Sequence, residues 1–123
     1  MIVNRLLILL GLVLMVGCNR APQPSRHDVD RAREILVIAL DAWKQGQVET
    51  LAKREPPIRF VDDDWRAGSQ LTNYALEEPH FPSGPIQDVI VVLTLKNQQG
   101  ETQKTATYQV KIEPNPAVLR SDL

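Results

Sequence analysis

The sequence predicts an α+β domain in which an N-terminal amphipathic helix packs on a four- or five-stranded antiparallel sheet. Two patterns carry this prediction. Between residues 25 and 55, apolar side chains recur at steps of three and four, which is typical of a helix with one buried face. Between residues 86 and 113 they alternate or run almost continuously, which is typical of strands. A chain of 123 residues is long enough for one such domain and too short for two.

The first helix is predicted over about 26 to 45. Its apolar stripe consists of Val29, Ala32, Leu36, Ala39, Leu40 and Trp43. Gly46 follows this stripe and is suited to ending a helix, because glycine adopts a left-handed conformation without strain. A shorter second helix is predicted from 47 to 54, closed by Pro56 and Pro57.

The strands are predicted in the second half of the chain. A short strand at 58 to 61 and a longer one at 70 to 77 precede the β-branched run from 87 to 96, which is expected to be central. The turn at 97 to 100 leads into an alternating strand whose apolar residues are Ala106, Tyr108, Val110 and Ile112, so these two strands form an antiparallel hairpin. Residues 117 to 120 are expected to add a final edge strand.

Composition argues against several classes of function. Lys and Arg total 14 and Asp and Glu total 15, so there is no basic excess to neutralise phosphates, and nucleic acid is not an expected partner. The single cysteine excludes an intramolecular disulfide. The four glycines of the region after residue 26 are isolated from one another, so a glycine-rich phosphate loop is not predicted.

The N-terminus has the organisation of a secretion signal. Arg5 precedes an apolar run from Leu6 to Gly17, which is shorter than the roughly 20 residues that a membrane span requires. We therefore predict a signal peptide at 1–17, a lipidated cysteine and flexible tether at 18–25, and one α+β domain at 26–123. The tether prediction depends on its polar composition and on Pro22 and Pro24.

The end of the apolar run, Met15-Val16-Gly17-Cys18, resembles the lipobox of bacterial lipoproteins. This resemblance implies cleavage before Cys18, a diacylglyceryl group on its thiol and, in most members, an acylated amino terminus. The protein would then be held at a membrane on its extracytoplasmic side. Asn19 after the cysteine, in place of Asp, resembles outer-membrane sorting in cells with two membranes. The alternative is an ordinary signal peptide cleaved elsewhere, but no A-x-A cleavage site lies nearby.

The acidic segment Asp62-Asp63-Asp64-Trp65-Arg66-Ala67-Gly68 has two interpretations. Three carboxylates could bind a hard cation such as calcium, although the spacing of an EF-hand loop is missing. The favoured interpretation is a structural turn, in which Asp side chains accept from backbone N–H groups, Trp65 packs on the edge of the core and Gly68 permits a bulge before the next strand. No metal is therefore expected.

Other candidates for chemistry have similar ordinary explanations. His27 and His80 lack any zinc-binding spacing, and a base and nucleophile pair of His80 with Ser83 would lack an orienting acid. Tyr74 and Tyr108 with Asp residues could form an isomerase-like pocket, because a carboxylate base and a phenol donor stabilise an enolate. Core packing explains Tyr108 more simply, since it belongs to the apolar stripe of the hairpin.

Two further resemblances bear on fold. The segments Ala39-Leu40-Asp41-Ala42-Trp43-Lys44 and Asp62-x-Asp64-Trp65-x-x-Gly68, with the Tyr74 and Tyr108 strands, resemble uncharacterised small bacterial lipoproteins. The order of one helix followed by strands resembles cystatin-like and NTF2-like architectures by analogy. Both resemblances imply fold and anchor; neither implies an activity.

We therefore expect a lipid-anchored envelope protein that acts as a non-enzymatic interaction or structural module without a cofactor. Its expected partners are the membrane, through Cys18, and an envelope protein. The alternatives are a small-ligand-binding domain with a groove between helix and sheet, or a minor isomerase or hydrolase. The expected interaction surface is a strip of Ile86, Ile90 and Val92, on the face of the 87 to 96 strand away from the helix. Alternatively, the segment around Val118 and Leu119, or the 79 to 85 loop, covers this strip.

Overall fold

The computed structural model describes residues 26–77 and 84–122. The predicted signal peptide, Cys18, the tether, His80 and Ser83 lie outside the described residues, as does the side chain of His27. The elements in chain order are α1 (Arg26–Lys44), a 3-10 helix (Val48–Lys53), β1 (Arg59–Val61), α2 (Asp63–Arg66), β2 (Gln70–Leu76), β3 (Ile86–Asn97), β4 (Gly100–Lys111) and β5 (Ala117–Arg120). The predicted α+β class is confirmed.

The strands form one sheet in the order β1-β5-β4-β3-β2. Three of its four strand pairs are antiparallel, but β1 pairs with β5 in parallel, so the prediction of an all-antiparallel sheet is wrong at this edge. Parallel neighbours need a long connection. Here that connection consists of α2 and the other three strands, which separate β1 from β5 along the chain.

Because β1 pairs with β5, two strands lie at positions in the sheet that differ from the predicted ones. The sequence predicted β5 as an edge strand, but β5 lies between β1 and β4, and the Arg59 N–H donates to the Pro116 carbonyl at 3.1 Å. The edges of the sheet are β1 and β2, and the middle position belongs to β4. Strand β3 is flanked on both sides, as a buried β-branched run requires.

The predicted antiparallel β3–β4 hairpin and the two faces of β3 are confirmed. Val89 lies opposite Tyr108 and Val91 lies opposite Ala106, and all four are fully buried. On the other face, Ile90 and Val92 are half-buried. A shift of one residue would exchange the two faces, so burial of the first set determines the register.

The hydrophobic core contains residues from both α1 and the sheet. From the helix come Ala32, Ile35, Leu36, Ala39 and Leu40, all at most 1% exposed. They join the buried residues of β3, β4 and β5 in one cluster. Each large aliphatic side chain buried in this way contributes about 1.5–3 kcal/mol to folding.

The end of α1 positions the segment that follows it. Gly46 has a φ of +70°, and the Gln47 N–H donates to the Ala42 carbonyl at 2.7 Å, which closes the helix. The chain then forms the 3-10 helix, and the Leu51 carbonyl accepts from the Ile58 N–H at 3.0 Å. This hydrogen bond holds the 3-10 helix beside the start of β1.

Candidate functional site

The acidic segment 62–68 is a short helical turn, as the structural interpretation predicted. Asp62 caps α2, and its Oδ1 accepts from the Trp65 N–H at 3.0 Å. Such a cap typically contributes about 0.5–2 kcal/mol. Gly68, with a φ of +90°, ends the turn. The irregularity in strand pairing lies further on, between Leu71 and Asn73, so the prediction of a bulge at Gly68 is wrong in position.

Asp62 is the centre of a buried charge network. It is fully buried, and its Oδ2 accepts from the Tyr108 hydroxyl and lies 3.3 Å from Nη1 of Arg120. The Arg120 side chain is only 3% exposed. The same Nη1 donates to Asp64 at 2.9 Å, and Nε and Nη2 donate to Asp122. The guanidinium of one residue therefore joins three carboxylates.

A second cation and a backbone group complete this network. Lys104 Nζ lies 3.1 Å from both carboxylate oxygens of Asp64, and the Thr107 N–H donates to Asp122 at 3.1 Å. The Arg120 guanidinium also lies 5.8 Å from the centroid of the Tyr108 ring, within the range of a cation–π contact. Hydrogen bonds and opposite charges thus compensate for the burial of these groups.

The network shifts the titration of its members. Burial raises the pKa of Asp64, but hydrogen bonds from Arg120 and Lys104 outweigh it, so the pKa lies below its ordinary value. The pKa of Asp122 is lowered in the same way, because burial is outweighed by the hydrogen bonds from Arg120 and the Thr107 N–H. Burial and the neighbouring Asp62 raise the pKa of Tyr108 well above its ordinary value. At neutral pH the carboxylates of Asp64 and Asp122 are charged and the phenol is neutral.

The network brings together two groups of the isomerase hypothesis but gives them no access to a substrate. Tyr108 and Asp62 are hydrogen-bonded to each other, and both are fully buried. Tyr74 belongs elsewhere, since its hydroxyl donates to Asp41 at 2.7 Å. In the part of the chain that the structure describes, no group of three or more His, Cys, Asp or Glu side chains has the arrangement of a metal site.

The other side of the acidic segment borders an apolar pocket of about 590 Å³. Trp43, at the end of α1, Phe60 of β1 and Trp65 of α2 line it. Their rings follow one another at centroid distances of 6.0 and 5.6 Å, with tilted planes. The indole N–H of Trp43 donates to the Ser69 carbonyl at 2.9 Å, which fixes that ring in place. We call this cavity the aromatic pocket.

The rest of the aromatic pocket is aliphatic inside and polar at its mouth. Its aliphatic lining consists of Val48, Leu51, Ala52 and Ile58. Glu49, Arg59 and Gln70 also line it, and all three are exposed. Both tryptophans of the chain lie in this lining. Its volume falls within the range of about 300–1,000 Å³ that is usual for small-molecule sites.

The predicted interaction strip lies away from the aromatic pocket. Ile86, Ile90 and Val92 alternate on β3 with its buried residues, and Ile86 is 39% exposed. Thr107 and Thr105 lie opposite Ile90 and Val92 on β4. These three apolar side chains therefore share one face of the sheet, and this face is opposite to that of the core.

Sequence reasoning missed Arg120 and the aromatic pocket. Arg120 follows Val118 by two positions on β5, so the two side chains share the core face, and a charged residue there requires a buried partner. This position of a charged residue on the core face of β5 could have been identified from the sequence. The aromatic pocket combines residues from four separate segments, 43–52, 58–60, 65 and 68–70, which no local pattern links.

Comparisons with known proteins identify no relative: the chain matches no family model, and no curated protein or solved structure matches significantly. Within residues 26–77 and 84–122, no helix is both long and apolar enough to cross a membrane.

Proposed function

We propose that this protein is a lipid-anchored, extracytoplasmic, non-enzymatic binding protein that holds a small apolar molecule in the aromatic pocket. The single observation that carries the proposal is this pocket of about 590 Å³ with three aromatic side chains in its wall. The scaffold we propose is an N-terminal helix packed on the sheet. It is supported by the core that α1 shares with β3 and β4.

The shape of the surface favours a small ligand over a protein partner at this site. Trp43, Leu51 and Ile58 are each at most 5% exposed, so the pocket has a floor within the core. Among the described residues, Ile86 is the one large hydrophobic residue that is exposed, and it is not part of the pocket lining. The apolar groups of this site lie mainly inside the pocket, whereas a protein interface has an apolar centre that is exposed before the partner binds.

The chemistry of the lining favours binding over catalysis. Among the residues that the structure describes, the titratable groups that line the pocket are Glu49 and Arg59, and both are exposed to water. A general acid or base acts best when it is shielded from water beside the reacting atom. The buried carboxylate of Asp62 and the phenol of Tyr108 are bonded to each other and do not line the pocket.

The anchor is proposed from the Met15-Val16-Gly17-Cys18 segment. Metabolic labelling with a palmitate analogue is expected to mark the wild-type chain and to leave a Cys18→Ser variant unmarked. Equal labelling of the two proteins would refute the anchor. The aromatic pocket lies at the C-terminal end of α1, a helix about 28 Å long for 19 residues at 1.5 Å each.

Ligand binding can be tested with the neutral dye N-phenyl-1-naphthylamine and the full-length protein in amphipol. Both tryptophans line the pocket, so energy transfer from tryptophan to the dye reports binding there. We expect saturable transfer, strongly reduced by Ala52→Phe, which adds a ring inside the pocket. Ala75→Phe is the matched control, because Ala75 is also exposed but lies outside the lining. Equal transfer in the two variants would contradict the proposal.

A second candidate function, protein interaction through Ile86, Ile90 and Val92, is favoured by the exposure of Ile86. Replacing Ile90 and Val92 together with Thr keeps β-branched side chains on the strand and removes apolar surface. Analytical ultracentrifugation is expected to show self-association in the wild type and its loss in the double variant. A wild type that is strictly monomeric, with a double variant that is unfolded, would assign both side chains to structure alone.

A further inference from the structure

The mouth of the aromatic pocket carries one side chain of each charge. Glu49 is the second residue of the 3-10 helix and Arg59 begins β1, and both line the cavity. Neither of them forms an ion pair with another described residue. The pocket therefore combines an apolar interior with a free carboxylate and a free guanidinium at its opening.

This arrangement has the chemistry of a receptor for an amphiphile with both charges in its head. An apolar wall of indole, phenyl and aliphatic groups gains free energy by removing hydrocarbon from water. A guanidinium is suited to phosphate, with which it forms paired charge-assisted hydrogen bonds, and a carboxylate accepts from an ammonium group. A ligand with only one sign of charge would be repelled by one of the two rim residues.

We propose that the ligand is a single-chain zwitterionic amphiphile of the lysophosphatidylethanolamine type. Its acyl chain lies between Trp43, Phe60 and Trp65, its phosphate meets Arg59 and its ammonium meets Glu49. This inference rests on the proposed function of the aromatic pocket and specifies its ligand. One cavity of about 590 Å³ suits one acyl chain, and the lipid anchor proposed above would hold the pocket near a membrane surface.

The test uses full-length lipidated protein in amphipol and lysophosphatidylethanolamine whose acyl chain carries bromine atoms. Bromine quenches tryptophan fluorescence on contact, and both tryptophans lie in the pocket wall. We expect saturable quenching. A brominated monoacylglycerol with the same chain and an uncharged head is expected to bind about tenfold more weakly, as the loss of charge-assisted hydrogen bonds predicts.

Variants at the rim of the pocket test the contacts of the ligand's head group separately from those of its acyl chain. Arg59→Gln and Glu49→Gln are each expected to weaken lysophosphatidylethanolamine binding by about tenfold and to leave monoacylglycerol binding unchanged. Arg54→Gln and Glu55→Gln are matched controls, because both residues are exposed near the pocket and do not line it. All four positions are exposed, so folding is preserved, which circular dichroism can check.

The outcomes distinguish this proposal from the one on which it rests. Equal affinity for the two lipids, or rim variants that behave like their controls, would overturn the assignment of the head group while the pocket remains a binding site. If neither lipid quenched tryptophan fluorescence while energy transfer to N-phenyl-1-naphthylamine stayed normal, the proposal that an acyl chain occupies the pocket would be wrong. If neither quenching by the lipids nor energy transfer to the dye were seen, the proposed function itself would be refuted.

Discussion

The two sides of the acidic turn at 62–68 differ in whether their side chains have partners within the protein. On one side, Asp62 and Asp64 face Arg120, and each of these groups has a partner. On the other side, Trp65 lines a cavity that the residues described by the structure leave open. One short segment thus contributes carboxylates to a closed network and an indole to an open pocket. Exposure, rather than the number of charged residues, therefore separates the structural region from the region available to a ligand.

The two regions also differ in what a substitution would remove. A buried ion pair contributes little net stability, but loss of one partner leaves an uncompensated charge, which is costly. A pocket residue that faces open space has fewer contacts to lose. Substitutions in the charge network should therefore affect folding, and substitutions at exposed residues of the pocket lining, such as Ala52 and Arg59, should affect binding.

The largest effect is expected from Arg120→Met, which tests whether the network is structural. Methionine keeps much of the side-chain volume but leaves Asp62 buried without its cation, at a cost of about 3–5 kcal/mol in the free energy of unfolding. Urea unfolding followed by circular dichroism measures this loss. Arg66→Met, at an exposed position of α2, is the control and should change stability by less than about 0.5 kcal/mol. A loss below about 1 kcal/mol for Arg120→Met would place the network outside the folding core.

The next effect compares the two tyrosine–aspartate hydrogen bonds. Tyr108→Phe removes a donor from the fully buried Asp62, and we expect a loss of about 1–3 kcal/mol. Tyr74→Phe removes the half-buried bond to Asp41 and should cost about 0.5–1.5 kcal/mol. The same urea titrations measure both variants. Equal losses would show that burial of the acceptor does not decide the cost.

A smaller effect is expected on acidification. The pKa values of Asp64 and Asp122 are lower in the fold than their ordinary value of 3.8, so the unfolded chain takes up these protons first as the pH falls. The stability from both groups is present above that value and is lost as the pH falls through the folded-state pKa.

The predicted loss of stability can be measured as the fall in the urea unfolding midpoint between about pH 6 and about pH 2.5. A variant with Asp64→Asn and Asp122→Asn should have a flatter acid limb than the wild type. The matched control is Asp63→Asn with Asp88→Asn, because both of these aspartates are exposed. If the first variant and the control gave parallel curves, the salt bridges of Arg120 would not be the source of acid sensitivity.

The features that could be predicted from the sequence are those encoded by neighbouring residues. Helix α1 and the β3–β4 hairpin follow from periodicities within single segments, and the burial of Val89, Val91 and Tyr108 follows from the same alternation. Asp62 as a cap of the turn was predictable for the same reason, since its acceptor group lies three residues from the N–H it bonds.

What the sequence could not predict depends on contacts between distant segments. Arg120 lies 58 positions from Asp62, and they meet only because β1 and β5 are parallel neighbours. That pairing uses three residues of β1, too few for a pattern. The aromatic pocket has the same origin, because Trp43 of α1 and Trp65 of α2 both pack against Phe60 of β1. The carboxylates of Asp62 and Asp64 looked available in the sequence because their partners Lys104, Tyr108 and Arg120 lie far along the chain.

The smallest expected effect is that of calcium, which tests whether the network is closed. The carboxylate of Asp62 accepts from Tyr108, from the Trp65 N–H and from Arg120, and that of Asp64 accepts from Lys104 and Arg120. A calcium ion needs six to eight oxygen ligands and would have to displace a guanidinium to reach them. Thermal melts with calcium and with a chelator should therefore agree within error. If calcium raised the melting temperature, and the rise were lost in Asp62→Asn with Asp64→Asn, the acidic turn would be a cation site, and the contrast with the open pocket would fail.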